Sequence, residues 1–190
     1  MKKNEETALI IIDLQKGILR GLGGARQAAH DEALDATAHR SAELLAKARN
    51  VGVPVLFVKH DGGAEHRLHP GNTDWELRDE IAPRAGEMVI QKRACDSFFE
   101  TGLDAELKRL GAARLVVAGC MTQYCVDTSV RRAVSMGYDV LLAADGHMTA
   151  DSGGLSFDQI IAHHNGLLDG FDAGEHVVTV LPISAIEGKL

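Results

Sequence analysis

The chain has 190 residues, of which 45% are apolar and 25% charged, as expected for one globular domain over residues 1–190 with a sizeable core. Its net charge of −7, without a run of Lys or Arg, argues against nucleic acid as the main partner. The first apolar run ends at Asp13 and is too short for a signal peptide or a membrane span. We therefore expect a cytoplasmic protein that does not associate with membranes.

Short apolar runs of strand length recur along the chain, at residues 8–12, 53–58, 88–90, 115–118, 138–143 and 177–180. Segments with helical spacing of apolar residues lie between them, at residues 30–50, 102–110 and 155–168 and directly after Gly119. Strands that alternate with helices need crossover connections, which place parallel strands in one sheet with helices on both faces. We predict a three-layer α/β fold around a six-stranded parallel sheet.

The segment from Arg114 to Met136 is a predicted strand, a turn that opens on Gly119, and a helix whose first turn carries Cys125. A cysteine at a helix start is biased towards the thiolate, because the unpaired backbone N–H groups favour negative charge there. The same N–H groups could hold a developing oxyanion. The alternative is a small buried thiol in a β–α turn without a chemical role.

Asp13 and Lys92 also follow predicted strands at their carboxyl ends, where open parallel sheets bind ligands. Asp13 could take the thiol proton, and Lys92 could favour the thiolate and later the oxyanion. Taken singly, each residue has a simpler explanation: Asp13 caps the following turn, and Lys92 is one more solvated charge. Their shared placement with Cys125 makes the three a candidate catalytic set.

Three segments together resemble the isochorismatase-like cysteine hydrolases: DLQKG from Asp13, VIQKRACDSFFETGL around Lys92, and AGCMTQYCVDTSVRRAVSMGYDVLLAAD around Cys125. Asp, Lys and Cys follow one another in the order of that family's catalytic triad. The resemblance spans about residues 7–168 and implies the Rossmann-like α-β-α fold of the family.

The resemblance implies that Cys125 is the nucleophile, Asp13 the general base and then acid, and Lys92 the charge that orients and stabilises. It also implies a cis peptide bond between Cys120 and Met121, with the N–H groups of Met121 and Cys125 forming the oxyanion hole. The implied reaction is hydrolysis of a C–N bond in a small amide or ureide, through a thioester and without a cofactor. Family members that cleave the vinyl ether of isochorismate lack the cysteine, so amide or ureide hydrolysis is favoured.

Substrate contacts are expected from four residues near these motifs: Gln15, Trp75, Phe98 and Tyr124. The aromatic ones can equally pack in the core or between subunits, and for Phe98 we favour the core. The resemblance also implies a homo-oligomer, a dimer or tetramer, with the long segment 60–83 near an interface.

The nicotinamide-hydrolysing members of the family carry an Asp-x-His…His metal cluster after the second strand. This chain has His60 and Asp61 there, followed by His69, and the spacing does not match. We therefore expect no metal and predict histidines of the surface or of a lid; the alternative is a metal bound by His60, Asp61 and His69 together.

Two alternatives from other functional classes remain at this point. One is a non-catalytic member that keeps the fold as a binding or assembly module. The other is a thiol redox sensor that uses Cys120 and Cys125, although no Cys-x-x-Cys motif is present. Three cysteines without metal-site spacing are typical of reduced cytoplasmic thiols.

Overall fold

The computed structural model describes residues 7–190. Its strands are β1 Thr7–Ile12, β2 Val55–His60, β3 Met88–Lys92, β4 Arg114–Cys120, β5 Asp139–Met148, β6 Asp172–Ala173 and β7 His176–Leu181. They form one seven-stranded sheet in the order β3-β2-β1-β4-β5-β7-β6. All neighbouring strands run parallel except β6, which pairs antiparallel with β7. The predicted α/β class with six parallel strands is confirmed, and the two-residue β6 is an addition.

The helices are α1 Gln27–Val51, α2 Leu103–Arg109, α3 Asp127–Ser135, α4 Phe157–Leu168 and α5 Ile183–Ile186. The three helices predicted at 30–50, 102–110 and 155–168 are confirmed with bounds shifted by a few residues. The four residues of α5 are too few to show a helical pattern, and the sequence did not predict it. Within residues 7–190, none of the helices combines the length and the apolar character that a membrane crossing requires.

The sheet is buried on both faces, and each face has its own apolar core. Leu9 and Ile11 of β1 pack on the side of α1, whereas Ile10 and Ile12 pack on the side of α2 and α3. All six residues of β1 are buried, which explains why the strand is apolar without alternation.

The strand order reverses between β1 and β4, because β1 pairs with β2 on one side and with β4 on the other. Gly119 lies opposite Ile12 at this point, with φ of 132°. A Cβ atom on Gly119 would lie 1.9 Å from the Ile12 carbonyl oxygen, so only glycine fits. The end of β1 and the turn after β4 are thereby held side by side, where open α/β sheets place their ligands.

Candidate active site

Four neighbouring strands end at the same edge of the sheet, and each delivers one polar side chain. Lys92 is the last residue of β3, His60 is the last residue of β2, Asp13 follows β1, and Cys125 lies in the turn after β4. The structure therefore brings together the three residues that the sequence singled out, and adds His60. Asp13 itself has a left-handed backbone conformation, with φ of 48°.

Lys92 joins the other two members of the set. Its side chain is fully buried, and its Nζ donates to Asp13 Oδ2 at 2.5 Å, to the Ala94 carbonyl at 3.0 Å and to Cys125 Sγ at 3.1 Å. An ammonium group has three N–H donors, so these bonds use all of them. Lys92 thus fixes the carboxylate and the sulfur relative to each other.

In the free site Lys92 lies between a neutral thiol and the Asp13 carboxyl, whose pKa burial raises against the opposing charge of Lys92. Burial raises the pKa of the Cys125 thiol and the Asp13 carboxylate raises it further, against the opposing charge of Lys92. Burial alone would lower the pKa of Lys92, but the charges of Asp13 and Cys125 outweigh it and the net shift is upward. The thiolate bias expected from a helix start is therefore wrong for the free protein, because burial dominates.

The thiol is carried by a π-helical turn over residues 122–126, which precedes α3. Single π turns of this kind often occur at functional sites. The peptide bond between Cys120 and Met121 is cis, at the place that the resemblance implied. The Met121 carbonyl accepts two N–H groups from within the turn, at 3.1 and 3.2 Å. The oxyanion hole formed by the Met121 and Cys125 N–H groups stays a prediction.

A buried histidine supports this turn from behind. The His147 ring lies 2.9 Å from Thr122 Oγ1 through Nδ1, and 2.8 Å from Asn165 Oδ1 through Nε2. Asn165 Nδ2 donates to the Ala144 carbonyl, so Oδ1 is the acceptor, Nε2 carries the proton and Nδ1 accepts from the Thr122 hydroxyl. Burial lowers the pKa of His147 to about 4, so the ring is neutral at pH 7. No sequence motif pointed to this chain of bonds.

His60 is held beside the candidate catalytic set through its backbone. Its N–H donates to Gln15 Oε1 at 2.9 Å, and its carbonyl accepts from Gln15 Nε2 at 3.1 Å. The same Nε2 donates to the Trp75 carbonyl at 2.8 Å, so both amide donors of the buried Gln15 are engaged by backbone. In this structure Gln15 ties the loop after β1 to the end of β2, and its contact with substrate stays a prediction.

Residues 7–161 match the model of the Isochorismatase domain. The chain belongs to the isochorismatase family. It is 37% identical over 134 residues to the uncharacterized isochorismatase family protein YddQ of Bacillus subtilis (strain 168), covering 70% of this chain and 72% of that protein. It is 28% identical over 173 residues to the ureidoacrylate amidohydrolase RutB of Serratia proteamaculans (strain 568), covering 74% and 69%.

The crystal structure of an isochorismatase from Pseudomonas putida KT2440 has the same fold, with a TM-score of 0.83 at 30% identity. The match covers 96% of this chain and 91% of the other. The family identity and the fold implied by the sequence motifs are therefore confirmed. Relatives of this isochorismatase-family protein are named as hydrolases, among them an amidohydrolase. The family is thus one of hydrolases.

The isochorismatase-family site borders a cavity of about 400 Å³. Besides Lys92, the cavity is lined by Asp61, Gln91, Arg93, Ala94, Phe99 and Glu100. Its size and its mixture of charged and aromatic groups suit a small polar molecule. A larger cavity of about 530 Å³ lies at the opposite edge of the sheet, near Arg114 and Asp139 at the strand starts, and is not lined by the candidate catalytic set.

The aromatic residues expected at the substrate differ in how much of their surface is available. Trp75 donates its indole N–H to Asp61 Oδ1 at 2.7 Å, and Lys59 Nζ lies 3.0 Å from the ring centre. Phe98 packs against the core beside α2 and α3, as we favoured. Tyr124 is 46% exposed, next to the catalytic candidate in sequence. Their contacts with substrate stay predictions.

The metal grouping considered from the sequence does not assemble. Asp61 binds the Trp75 indole, and His69 Nδ1 lies 2.8 Å from the Pro70 carbonyl. Within residues 7–190, the side chains that come close enough to share an ion are Asp13, His60 and Cys125 instead. The sequence did not place His60 beside the thiol, because the predicted second strand stopped at residue 58.

The two cysteines of the redox alternative lie on opposite sides of the sheet. Cys120 is buried in the core beside α1, and Cys125 faces the core beside α3. Both are free thiols, as is the exposed Cys95. Two thiols that lie in separate cores are poorly placed for a disulfide, so this geometry does not favour the sensor alternative.

Proposed function

We propose that this isochorismatase-family protein is a cysteine hydrolase that cleaves the C–N bond of a small amide or ureide through a thioester at Cys125. One observation carries the proposal: a single buried ammonium, Lys92, bonds both the Asp13 carboxylate and the Cys125 sulfur. A nucleophile, a proton acceptor and a positive charge within one bonded set are the parts that thiol-based acyl transfer needs. The match to an amidohydrolase among the relatives supports the amide class.

In the first half-reaction the sulfur attacks the substrate carbonyl while its proton passes to Asp13. Because burial raises the pKa of the Cys125 thiol, the proton leaves during the attack and not before it. The tetrahedral oxyanion is stabilised by the Met121 and Cys125 N–H groups, each of which is worth roughly 10²–10³ in turnover. Asp13 then gives the proton to the leaving nitrogen, so the C–N bond breaks and a neutral amine departs.

In the second half-reaction water attacks the thioester while Asp13 removes a proton from it. The C–S bond breaks, Cys125 recovers its proton through Asp13, and the acid product leaves. Lys92 retains its charge throughout, because the net shift of its pKa is upward. Its role is to hold Asp13 and the sulfur in place and to stabilise negative charge as it moves between them.

The test is a screen of amides, ureides and nicotinamide-like compounds that reads the release of ammonia or amine. We expect the wild-type protein to hydrolyse at least one of them, Cys125→Ala to hydrolyse none, and the matched variant Cys95→Ala to retain activity. Unchanged unfolding midpoints would show that each variant is folded. Wild-type activity in Cys125→Ala, or no hydrolysis by any folded form, contradicts the proposal and favours a non-catalytic binding module.

The proposal extends to the assembly and its setting. We propose a homo-oligomer, a dimer or tetramer, with the segment 60–83 near an interface and a small molecule as the partner of the site. A cytoplasmic setting agrees with three free thiols in one short chain. Sedimentation equilibrium measures the assembly directly, and a monomer at all concentrations contradicts that part.

A further inference from the structure

Three ligand types meet at the edge of the sheet. Asp13, His60 and Cys125 each offer one atom that can bind a metal, and these atoms all lie within 4.8 Å of one another. Around Zn²⁺ the bonds are ~2.0–2.3 Å long, so tetrahedral ligand atoms lie roughly 3.3–3.7 Å apart. The three atoms therefore need to approach by no more than about 1.5 Å.

Two residues of this group each carry a buried polar atom that is unsatisfied. Asp13 Oδ1 and His60 Nδ1 have no hydrogen-bond partner within the described part of the chain. Lys92 takes only the other carboxylate oxygen, Oδ2. Buried polar atoms without a partner are rare in native proteins and indicate a water, a ligand or an ion. Asp13 and His60 thus each keep a buried polar atom that the described protein leaves without a partner.

His60 is prepared for coordination before any ion arrives. Gln15 bonds both the N–H and the carbonyl of His60, which fixes the backbone from which the ring extends. An imidazole binds a metal in its neutral form, which predominates above the ordinary histidine pKa of about 6.5.

We propose that Asp13, His60 and Cys125 bind one divalent transition-metal ion of the Zn²⁺ class, and that the bound ion inhibits the enzyme reversibly. A sulfur and an imidazole among the ligands favour such an ion over Mg²⁺ or Ca²⁺. Binding exchanges the S–H bond for a sulfur–metal bond and releases the proton to solvent. The Lys92 ammonium, 3.1 Å from the sulfur, repels the ion and makes the site weaker than a closed structural zinc site.

Inhibition follows because the ion occupies the proposed nucleophile and the proposed base together. This part rests on the proposed function, whereas metal binding itself does not. The group differs from the set of His60, Asp61 and His69 that the sequence analysis considered and did not favour, since only His60 is shared.

The experiment titrates chelator-treated protein with Co²⁺, a coloured substitute for Zn²⁺, and reads the sulfur-to-cobalt charge-transfer band in the near ultraviolet. We expect one equivalent to bind, Zn²⁺ to displace it, and Cys125→Ser to lose the band. His60→Gln should weaken binding at least tenfold, since even an outer-shell contact is worth roughly 10–100-fold in metal affinity. Asp13→Asn, which tolerates the left-handed backbone, is the second ligand variant. Cys95→Ser should bind like wild type.

No band in the wild-type protein contradicts the proposal. Wild-type Co²⁺ affinity in both His60→Gln and Asp13→Asn, when circular dichroism shows them folded, also contradicts it. Loss of the band in Cys95→Ser is a further contradiction. Amide hydrolysis is measured separately, on chelator-treated wild type before and after one equivalent of Zn²⁺, and we expect it to stop and to return with chelator. If the protein binds metal but the metal-free form hydrolyses no amide, the metal site is supported and the proposed function is overturned. If the protein hydrolyses an amide but shows no cobalt band, the proposed function is supported and the metal site is overturned.

Discussion

Lowering the pH from 7.5 to 5.0 should destabilise the protein through His147, the buried residue behind the π-helical turn. Its Nδ1 accepts from Thr122 Oγ1, and its Nε2 donates to Asn165 Oδ1. Burial lowers its pKa to about 4, compared with 6.5 for an unperturbed histidine. A second ring proton would put a donor where the Thr122 hydroxyl already donates, so protonation opposes this arrangement.

The direction of this pH effect follows from the linkage between proton binding and unfolding. Since the folded pKa of His147 lies below the unfolded one, the unfolded chain binds more protons between pH 6.5 and about 4. Neutral His147 therefore contributes stability that is complete above pH 6.5 and is lost as the pH falls towards 4. The difference between the folded and unfolded pKa values corresponds to roughly 3 kcal/mol of stability, of which roughly 2 kcal/mol is lost between pH 7.5 and 5.0.

The assay is urea unfolding at both pH values for wild type, His147→Gln and His163→Gln. Glutamine is neutral at both pH values and retains a polar group. His147→Gln should therefore lose roughly 2 kcal/mol less unfolding free energy than wild type between pH 7.5 and 5.0. His163 is exposed on α4, and its variant should match wild type. The reasoning is refuted when His147→Gln loses as much stability as wild type, or when His163→Gln removes the pH dependence.

Three further predictions concern the site and the strands that carry it. Lys92→Met leaves the Asp13 charge buried without a partner and should lower the free energy of unfolding in urea by about 3–5 kcal/mol. Adding Asp13→Asn should restore part of that loss, so strictly additive effects of the two substitutions contradict the prediction. Iodoacetamide at pH 7 should modify the exposed Cys95 before Cys125, because burial raises the pKa of Cys125; peptide masses showing the opposite order contradict it. Gly119→Ala places a Cβ 1.9 Å from the β1 backbone and should cost more than about 4 kcal/mol, so a nearly unchanged unfolding midpoint contradicts it.

The fold was predictable from the sequence because the parallel strands are buried on both faces. A strand such as β1 then has to be apolar throughout, and its length and its end at Asp13 are visible in the sequence. The same reasoning brought Asp13, Lys92 and Cys125 to one edge. The elements that were missed, β6 and α5, have two and four residues, too few to show a period.

The finer features of the site depended on contacts that sequence does not show. The sequence indicated an α-helix start at Cys125, but the residues form a π turn, and the surrounding core makes the thiol neutral. His60 joins the site because β2 runs two residues beyond the predicted end, paired with the last residues of β3. Gln15 becomes a tie between backbones because residues 75–77 fold back onto it, with a bridge from Gln15 to Leu77.

The most direct measurement is the fate of the acyl group during turnover of an amide that the protein hydrolyses. Acid-quenched wild-type protein should carry the mass of the acyl group on the peptide that contains Cys125, and added hydroxylamine should divert the acyl group to a hydroxamate in competition with water. Cys125→Ala should give neither the adduct nor the hydroxamate. Hydrolysis that proceeds at the wild-type rate in Cys125→Ala, or that yields no adduct and no hydroxamate in wild type, contradicts a thioester at Cys125.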